Sequence, residues 1–282
     1  INEKVSLEVA IGASLAGSRA LCAMKHVGLN VASDALMSQT LAGVGAGLVL
    51  VVADDVGLSS SQNEQDSRFW GRFAHVPVLE PADAQEAFNH TKRAFEISEQ
   101  FNTPVILRLT TRICHVKGVV TFGNRSAFSK AEGFVKDPGR LIMTPGIAKK
   151  RLPMMFEREA EMQRYSETCD LNIIEEGSDH RIGFVTSGPT YMHIKESYPD
   201  APVIKLGLSY PAPFAKIRQF ASGVDRLVIV EEVEPLLETE LKAAGIELLG
   251  KDILPRIGEL SPNVLRPAIS KLLGEEPPEI AA

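Results

Sequence analysis

A chain of 282 residues that is 44% hydrophobic and 23% charged is long enough to enclose two hydrophobic cores. Its net charge of -6 leaves no basic stripe for a nucleic acid or an anionic membrane surface. The longest apolar run, residues 44–53, is too short for a bilayer-spanning helix, which needs roughly 20 residues. The three cysteines, Cys22, Cys114 and Cys169, stand far apart. That spacing suggests neither a disulfide framework nor an iron–sulfur site, which takes about four clustered thiolates. Reduced thiols in a cytoplasmic protein are expected. The chain starts Ile1-Asn2-Glu3 without a methionine and enters a helix directly, so it is expected to be an excerpt of a longer one.

Residues 3–16 predict a helix, with Val5, Val9, Ala13 and Ala16 at helical spacing and Gly17 past its end. A short strand follows over 19–24, then a small-residue helix over 30–41 that Asn30 or Ser33 can cap. Residues 47–53, Gly-Leu-Val-Leu-Val-Val-Ala, have the near-continuous apolar character of a strand covered on both faces. Residues 82–101 predict the clearest helix, with Asp83 as cap and Glu86 three residues on. Residues 103–109 predict another buried strand. Alternation of this kind implies right-handed crossovers and a mainly parallel sheet flanked by helices, an α/β fold.

The middle differs. Residues 123–180 are charged, with scattered glycines and prolines, and are read as a linker holding one helix over 156–168. A second alternating unit begins at 181, with strands over 182–186, 202–206 and 227–230. Its helices are placed over 214–221 and 235–244, with a last one from Pro262 that Pro267 should kink. The expected organisation is therefore a first domain over 1–122, a linker over 123–180 and a second domain over 181–282.

In open parallel sheets, ligands bind beyond the carboxyl ends of the strands. Three polar segments stand there in the first unit: Lys25-His26-Val27-Gly28-Leu29-Asn30, the long loop from Asp54 to Arg68, and Thr110-Thr111-Arg112. Loops beyond about twelve residues are uncommon and often functional. Each residue also has a plainer reading: His26 as a packed histidine, Arg68 and Arg112 as surface ion pairs, and Asp54-Asp55 as solvated acids, not magnesium ligands. The acidic run Glu231-Glu232-Val233-Glu234 suits a strand end followed by a helix start. From composition and spacing alone the chain is a two-domain α/β protein with a polar cleft at its strand ends.

The run from Asn2 to Ser14 resembles the glutamate helix of thiamine-diphosphate enzymes. Met24-Lys25-His26-Val27-Gly28-Leu29-Asn30 and the run from Ser60 to Arg68 are similar to the large (alpha) subunit of indolepyruvate ferredoxin oxidoreductases. These belong to the thiamine-diphosphate-dependent 2-oxoacid:ferredoxin oxidoreductases. Thr110-Thr111-Arg112, Val230-Glu231-Glu232, Gly250-Lys251-Asp252 and Gly258-Glu259-Leu260 fit the same pattern, so the resemblance runs through the whole chain. It implies a pyrimidine-binding domain followed by a transketolase C-terminal-like domain. It also implies oxidative decarboxylation of aryl pyruvates to aryl-acetyl-CoA, with coenzyme A as co-substrate and ferredoxin as electron acceptor. Another 2-oxo acid, such as pyruvate or phenylglyoxylate, and a non-catalytic subunit-interaction module are the alternatives.

By the same resemblance Glu3 is the carboxylate that activates the cofactor, with His26 as a second catalytic residue. Gly28 and Asn30 face thiamine diphosphate beside Glu3, and Lys25, His26, Gln62, Asn63 and Arg68 face the substrate. No residue of this chain is assigned to a metal. The magnesium-holding motif is a Gly-Asp-Gly type, and no Gly-Asp pair occurs here. The chain is therefore expected to form half a site, to bind thiamine diphosphate and Mg2+ poorly alone, and to show no turnover. The [4Fe-4S] clusters belong to parts outside this sequence, and a smaller (beta) subunit and a two-fold assembly are the implied partners.

Overall fold

Asn2 starts the first helix, its side chain accepting the Val5 N–H at 3.2 Å, and a carboxylate follows at once in the first turn. The computed structural model describes residues 2–123 and 133–276. The portions of the expected linker at 124–132 and of the expected second domain at 277–282 lie outside the described residues.

In chain order the first half holds α1 (Glu3–Leu15), β1 (Ala20–Lys25), α2 (His26–Ala42), β2 (Leu48–Asp54), α3 (Arg68–Ala74), β3 (Val78–Leu79), α4 (Ala84–Phe101), β4 (Val105–Thr110) and α5 (Thr111–His115). Next come α6 (Pro138–Leu141), α7 (Pro145–Thr168) and β5 (Asn172–Glu175). Then follow β6 (Gly183–Thr186), α8 (Thr190–Ser197), β7 (Val203–Leu206), β8 (Leu208–Tyr210), α9 (Phe214–Ala221), β9 (Leu227–Val230), α10 (Leu236–Ala243) and α11 (Pro262–Leu273).

Two sheets form. The first runs β1-β2-β4-β3-β8, parallel except for β8 at its edge, and the second runs β5-β7-β6-β9, parallel except for β5. The first sheet is covered on both faces because its strands are apolar on both. Leu48, Leu50 and Val52 of β2 pack with Leu7 of α1 and Leu29 and Leu36 of α2, while Val49 packs with Ile97 and Phe101 of α4 and Met162 of α7. The second sheet repeats the scheme, with Ile217 and Leu241 on one side and Ile194, Leu265 and Ile269 on the other. Removing a large side chain from either core should cost about 2–5 kcal/mol.

The mainly parallel α/β architecture agrees with the sequence reading, and several details differ. Helix α2 starts at His26 rather than at Asn30: it follows β1 with no intervening loop, and neither expected cap residue caps it. Asp83 caps α4 as expected, accepting the Glu86 N–H at 2.8 Å, while the Glu86 carboxylate accepts the Ala82 N–H. Within the segment read as a linker, α7 begins eleven residues before the expected 156, with Pro153 inside it. Proline normally marks a helix end. Here Arg151 and Arg158 of α7 donate to the Leu41 and Thr40 carbonyls at the end of α2, satisfying carbonyls left over by that helix. The same segment supplies β5 to the second sheet, and β8 from the second half returns to the first sheet at the edge of β3.

Candidate functional site

The carboxyl ends of β1, β2 and β4 lie side by side, and the polar segments of the first half converge on them. Glu3 sits in the first turn of α1, against the first turn of α2. A Cβ placed on Gly28 would lie 2.5 Å from Glu3 Cγ and 3.0 Å from its Oε1. Only a residue without a side chain lets the glutamate lie there. Lys4 reaches Asp34 at 3.1 Å and pegs α1 to α2 nearby. None of the described residues donates a hydrogen bond to the Glu3 carboxylate, which keeps part of its surface in solvent. Glu3 and Gly28 are thus brought together.

His26 is fully buried. Its Nδ1 faces the Ala53 carbonyl at 3.3 Å and its Nε2 the Asn63 carbonyl at 3.1 Å. Two backbone acceptors occupy both ring nitrogens, so the imidazole ties the long loop to β2 and presents neither nitrogen to the cleft. The loop has a second anchor in Asp55, which is buried instead of solvated as its place in a polar loop suggested. Asp55 accepts hydrogen bonds from Ser59 N–H at 3.1 Å, Ser60 N–H at 2.8 Å, Ser61 Oγ at 2.6 Å and Thr111 Oγ1 at 3.0 Å. The Ser61 hydroxyl, with those other donors, holds the Asp55 carboxyl well below the usual carboxylate range. The Lys25 ammonium stands 3.9 Å from Asp55 and donates to Ser60 O at 3.2 Å, so it also serves the loop. Gln62 and Asn63 are exposed on that loop, and the Asn63 side chain accepts from Gln65. Asn30 is exposed on α2, its carbonyl accepting from Ser33 Oγ.

Arg68 is placed differently. Its side chain is 1% exposed and bridges the two halves of the molecule. It binds Asp66 in a fork, donates to Glu231 at 2.7 Å and reaches the Glu232 and Glu234 carbonyls at 3.1 and 2.9 Å. Arg108 of β4 lies in the same cluster, donating to Asp54 at 2.6 Å and to Glu80 at 2.5 Å, and Ser187 donates to the other Glu80 oxygen. Five buried carboxyl groups, Asp54, Asp66, Glu80, Glu231 and Glu232, here share two buried guanidiniums. Burial acts to raise Asp66, but Arg68 and Arg108 outweigh it and hold that carboxyl at about 2. Burial pushes Asp54, Glu231 and Glu232 up, and the arginines offset this only in part. All three guanidinium nitrogens of Arg68 are engaged with these buried partners, so its charge is taken up inside the protein.

Asp54 and Asp55 have their oxygens taken by these partners, and among the described residues no group of three or more His, Cys, Asp or Glu is arranged to hold a metal. The three cysteines are unpaired. No helix is long and apolar enough to cross a membrane, among the described residues.

The indolepyruvate oxidoreductase subunit IorA of Methanothermobacter thermautotrophicus is 42% identical over 287 residues, which cover 97% of this chain. The match covers 46% of that relative, so the chain spans about half the length of such proteins. Among solved structures, the 2-oxoglutarate:ferredoxin oxidoreductase from Magnetococcus marinus superposes with a TM-score of 0.71 at 15% identity, over 96% of this chain and 56% of that one. A split-gene transketolase superposes with a TM-score of 0.62 at 17% identity, over 97% of this chain and 82% of its own. At such identities the likeness speaks for the fold alone, two mainly parallel sheets flanked by helices. Residues 2–165, which carry Glu3, Gly28 and the Asp55 loop, match the profile described as pyruvate flavodoxin/ferredoxin oxidoreductase, thiamine-diphosphate binding, and the chain belongs to that family.

Proposed function

We propose that this chain is the cofactor-activating part of an oxidoreductase that oxidatively decarboxylates aryl pyruvates, indolepyruvate among them, to aryl-acetyl-CoA with reduction of ferredoxin. The observation that carries this reading is the Glu3–Gly28 pair: a carboxylate with no donor among the described residues, laid over a residue that lacks a side chain, at the open edge of the first sheet. Its 42% identity over nearly the whole chain to an indolepyruvate oxidoreductase subunit supports the choice of substrate.

The fit to the pyrimidine half of thiamine diphosphate rests on a carboxylate that Gly28 leaves in place, since any Cβ at position 28 would push Glu3 aside. Thiamine diphosphate, when bound, supplies the carbon nucleophile and the electron sink for decarboxylation. Glu3 would hold the pyrimidine ring by a hydrogen bond at its nitrogen N1′, with one proton carried between the two groups. Gly28 keeps Glu3 in place, and Asn30 stands two residues beyond Gly28 on α2, about half a turn away. His26 acts by positioning: it fixes the loop that carries Gln62 and Asn63, the two exposed groups that would line the substrate side. Lys25 supports the same loop through Asp55 and Ser60, and Arg68 locks the far end of the loop to the second half. We further read 1–122 as a pyrimidine-binding domain, 123–180 as a connector and 181–282 as a transketolase C-terminal-like domain. Mg2+, the [4Fe-4S] clusters, a smaller subunit and a two-fold assembly complete the enzyme, and its free thiols suit the cytoplasm.

The test is a substrate panel on the full-length enzyme with its partner subunit, coenzyme A and ferredoxin. Indolepyruvate and phenylpyruvate should give the highest kcat/KM, and the isolated chain should bind thiamine diphosphate weakly and turn nothing over. Preference for pyruvate or phenylglyoxylate would move the substrate assignment. Absence of turnover on every 2-oxo acid, in an assembly that still forms, would make the chain an interaction module.

A further inference from the structure

Among the described residues, the cations Lys25, Arg68, Arg108 and Arg112 stand at or beside the carboxyl edge of the first sheet. Arg68 and Arg108 are sealed among carboxylates, and Lys25 is tied to Asp55 and Ser60. Arg112 differs. It sits in the first turn of α5, directly after β4, and its side chain is 47% exposed. Its one ion-pair partner among the described residues is Glu259, 147 positions away, itself 33% exposed, while the buried Glu232 carboxyl also feels its charge. Exposed pairs of this kind are weak and exchangeable.

Glu259 does not wander onto Arg112 by chance. The next residue, Leu260, is pinned at both backbone groups: its N–H donates to Glu232 Oε1 at 3.0 Å and its carbonyl meets His193 Nδ1 at 3.0 Å. The preceding Gly258 has φ +83° and approaches the long loop so closely that a Cβ on Gly57 would lie 3.7 Å from its Cα. The second half thus delivers a carboxylate onto a fixed turn at the edge of the first half's cleft. On the other side Thr111, next to Arg112, bonds the Asp55 hub that Lys25 also serves. Strands β1, β2 and β4 are neighbours, so Arg112 stands two strand spacings, about 10 Å, along the edge from the strand that leads to Gly28. One bound ligand can reach both.

We infer that Arg112 takes the carboxylate of the 2-oxo acid, and that Glu259 is an internal carboxylate that occupies the guanidinium until substrate displaces it. This rests on the proposed function and names the residue that holds the substrate's charge. A guanidinium offers paired donors in the geometry of a carboxylate, and an ammonium such as that of Lys25 does not.

The experiment uses the full-length enzyme and two readouts: steady-state kinetics with an aryl pyruvate, and calorimetric binding of the non-reacting aryl lactate. Arg112→Ala should raise KM and the aryl lactate Kd at least about 10-fold with kcat within about threefold, the pattern of lost uniform binding. Arg112→Lys should restore part of both. Glu259→Gln should lower KM about threefold, because a competitor is gone, and should have no effect on KM in the Arg112→Ala background. A KM and Kd within twofold of wild type in Arg112→Ala would overturn the inference. So would a rise in KM for Glu259→Gln, which would make the pair a tie between the two halves. Wild-type enzyme that binds aryl lactate through Arg112 but turns over no 2-oxo acid would instead sink the functional reading and leave the anion site standing.

Discussion

The two sheets share one architecture and use their carboxyl edges in opposite ways. At the edge of the first, Glu3 has no donor among the described residues, Gly28 leaves it room, and Gln62 and Asn63 face solvent. At the edge of the second, the turn after β6 is met by Glu80, which accepts from Ser187, and Gly188 turns at φ +63° against Glu80 and Pro81. The acids after β9 are also spent: Glu231 accepts from Arg68 and from the Leu237 and Glu238 N–H groups that start α10, and Glu232 accepts from Leu260. The place where a ligand would sit in a lone α/β sheet is filled by the first half. A strand-end acid is therefore no sign of a site by itself. What separates Glu3 from Glu231 is whether the fold has already supplied donors.

Substitutions can break that contrast. The largest effect is expected at the closed edge: Arg68→Met leaves Asp66 and Glu231 buried without their cation and should lower stability by about 3–5 kcal/mol in denaturant titration. A loss under 1 kcal/mol would mean the cluster contributes little. Next comes the open edge. Glu3→Gln should cut kcat of the full-length enzyme about 100-fold or more at nearly unchanged melting temperature. Near-normal turnover would remove Glu3 from the chemistry. Gly28→Ala should lower kcat about 10-fold with stability held within about 1 kcal/mol, since the added methyl displaces a flexible Glu3 side chain and alanine suits a helix better than glycine. Equal losses of stability and activity would point to packing instead.

The smallest effect concerns pH. Burial raises the Glu232 carboxyl above its usual 4.5, so the folded state binds that proton more tightly than the unfolded state. The resulting stability is fully present below the unfolded value and is lost as pH rises through the folded one. Glu232→Gln keeps an acceptor for the Leu260 N–H and lacks the titration. Its melting temperature should therefore gain on wild type as pH rises from 5 to 8, by about 2–4 °C. A pH-independent difference would show that Glu232 is not the titrating group.

Much of this was legible locally. Residues 47–53 and, apart from Arg108, 103–109 are largely apolar on both faces, and they are central strands because only a doubly covered sheet hides both faces. Asp83 and Glu86 announce the start of α4 three residues apart. Helix α3 escaped notice because its seven residues are too few for a periodicity to emerge. The start of α7 was hidden by Pro153, a local signal for an ending that the arginine bonds to the end of α2 override. Of the candidate site residues, Glu3 and Gly28 meet, while His26 and Arg68 turn inward.

The sequence by itself determined the alternation of elements, the helix starts that carry caps and the polar segments that follow the apolar strands, because each depends on residues within a few positions of one another. Only the tertiary structure decided which polar groups remain free. Arg68 meets Glu231 across 163 positions and Arg112 meets Glu259 across 147. No local pattern records such pairings, since they depend on how two sheets stack. An acid or a base becomes scaffold or site according to whether that stacking brings it a partner.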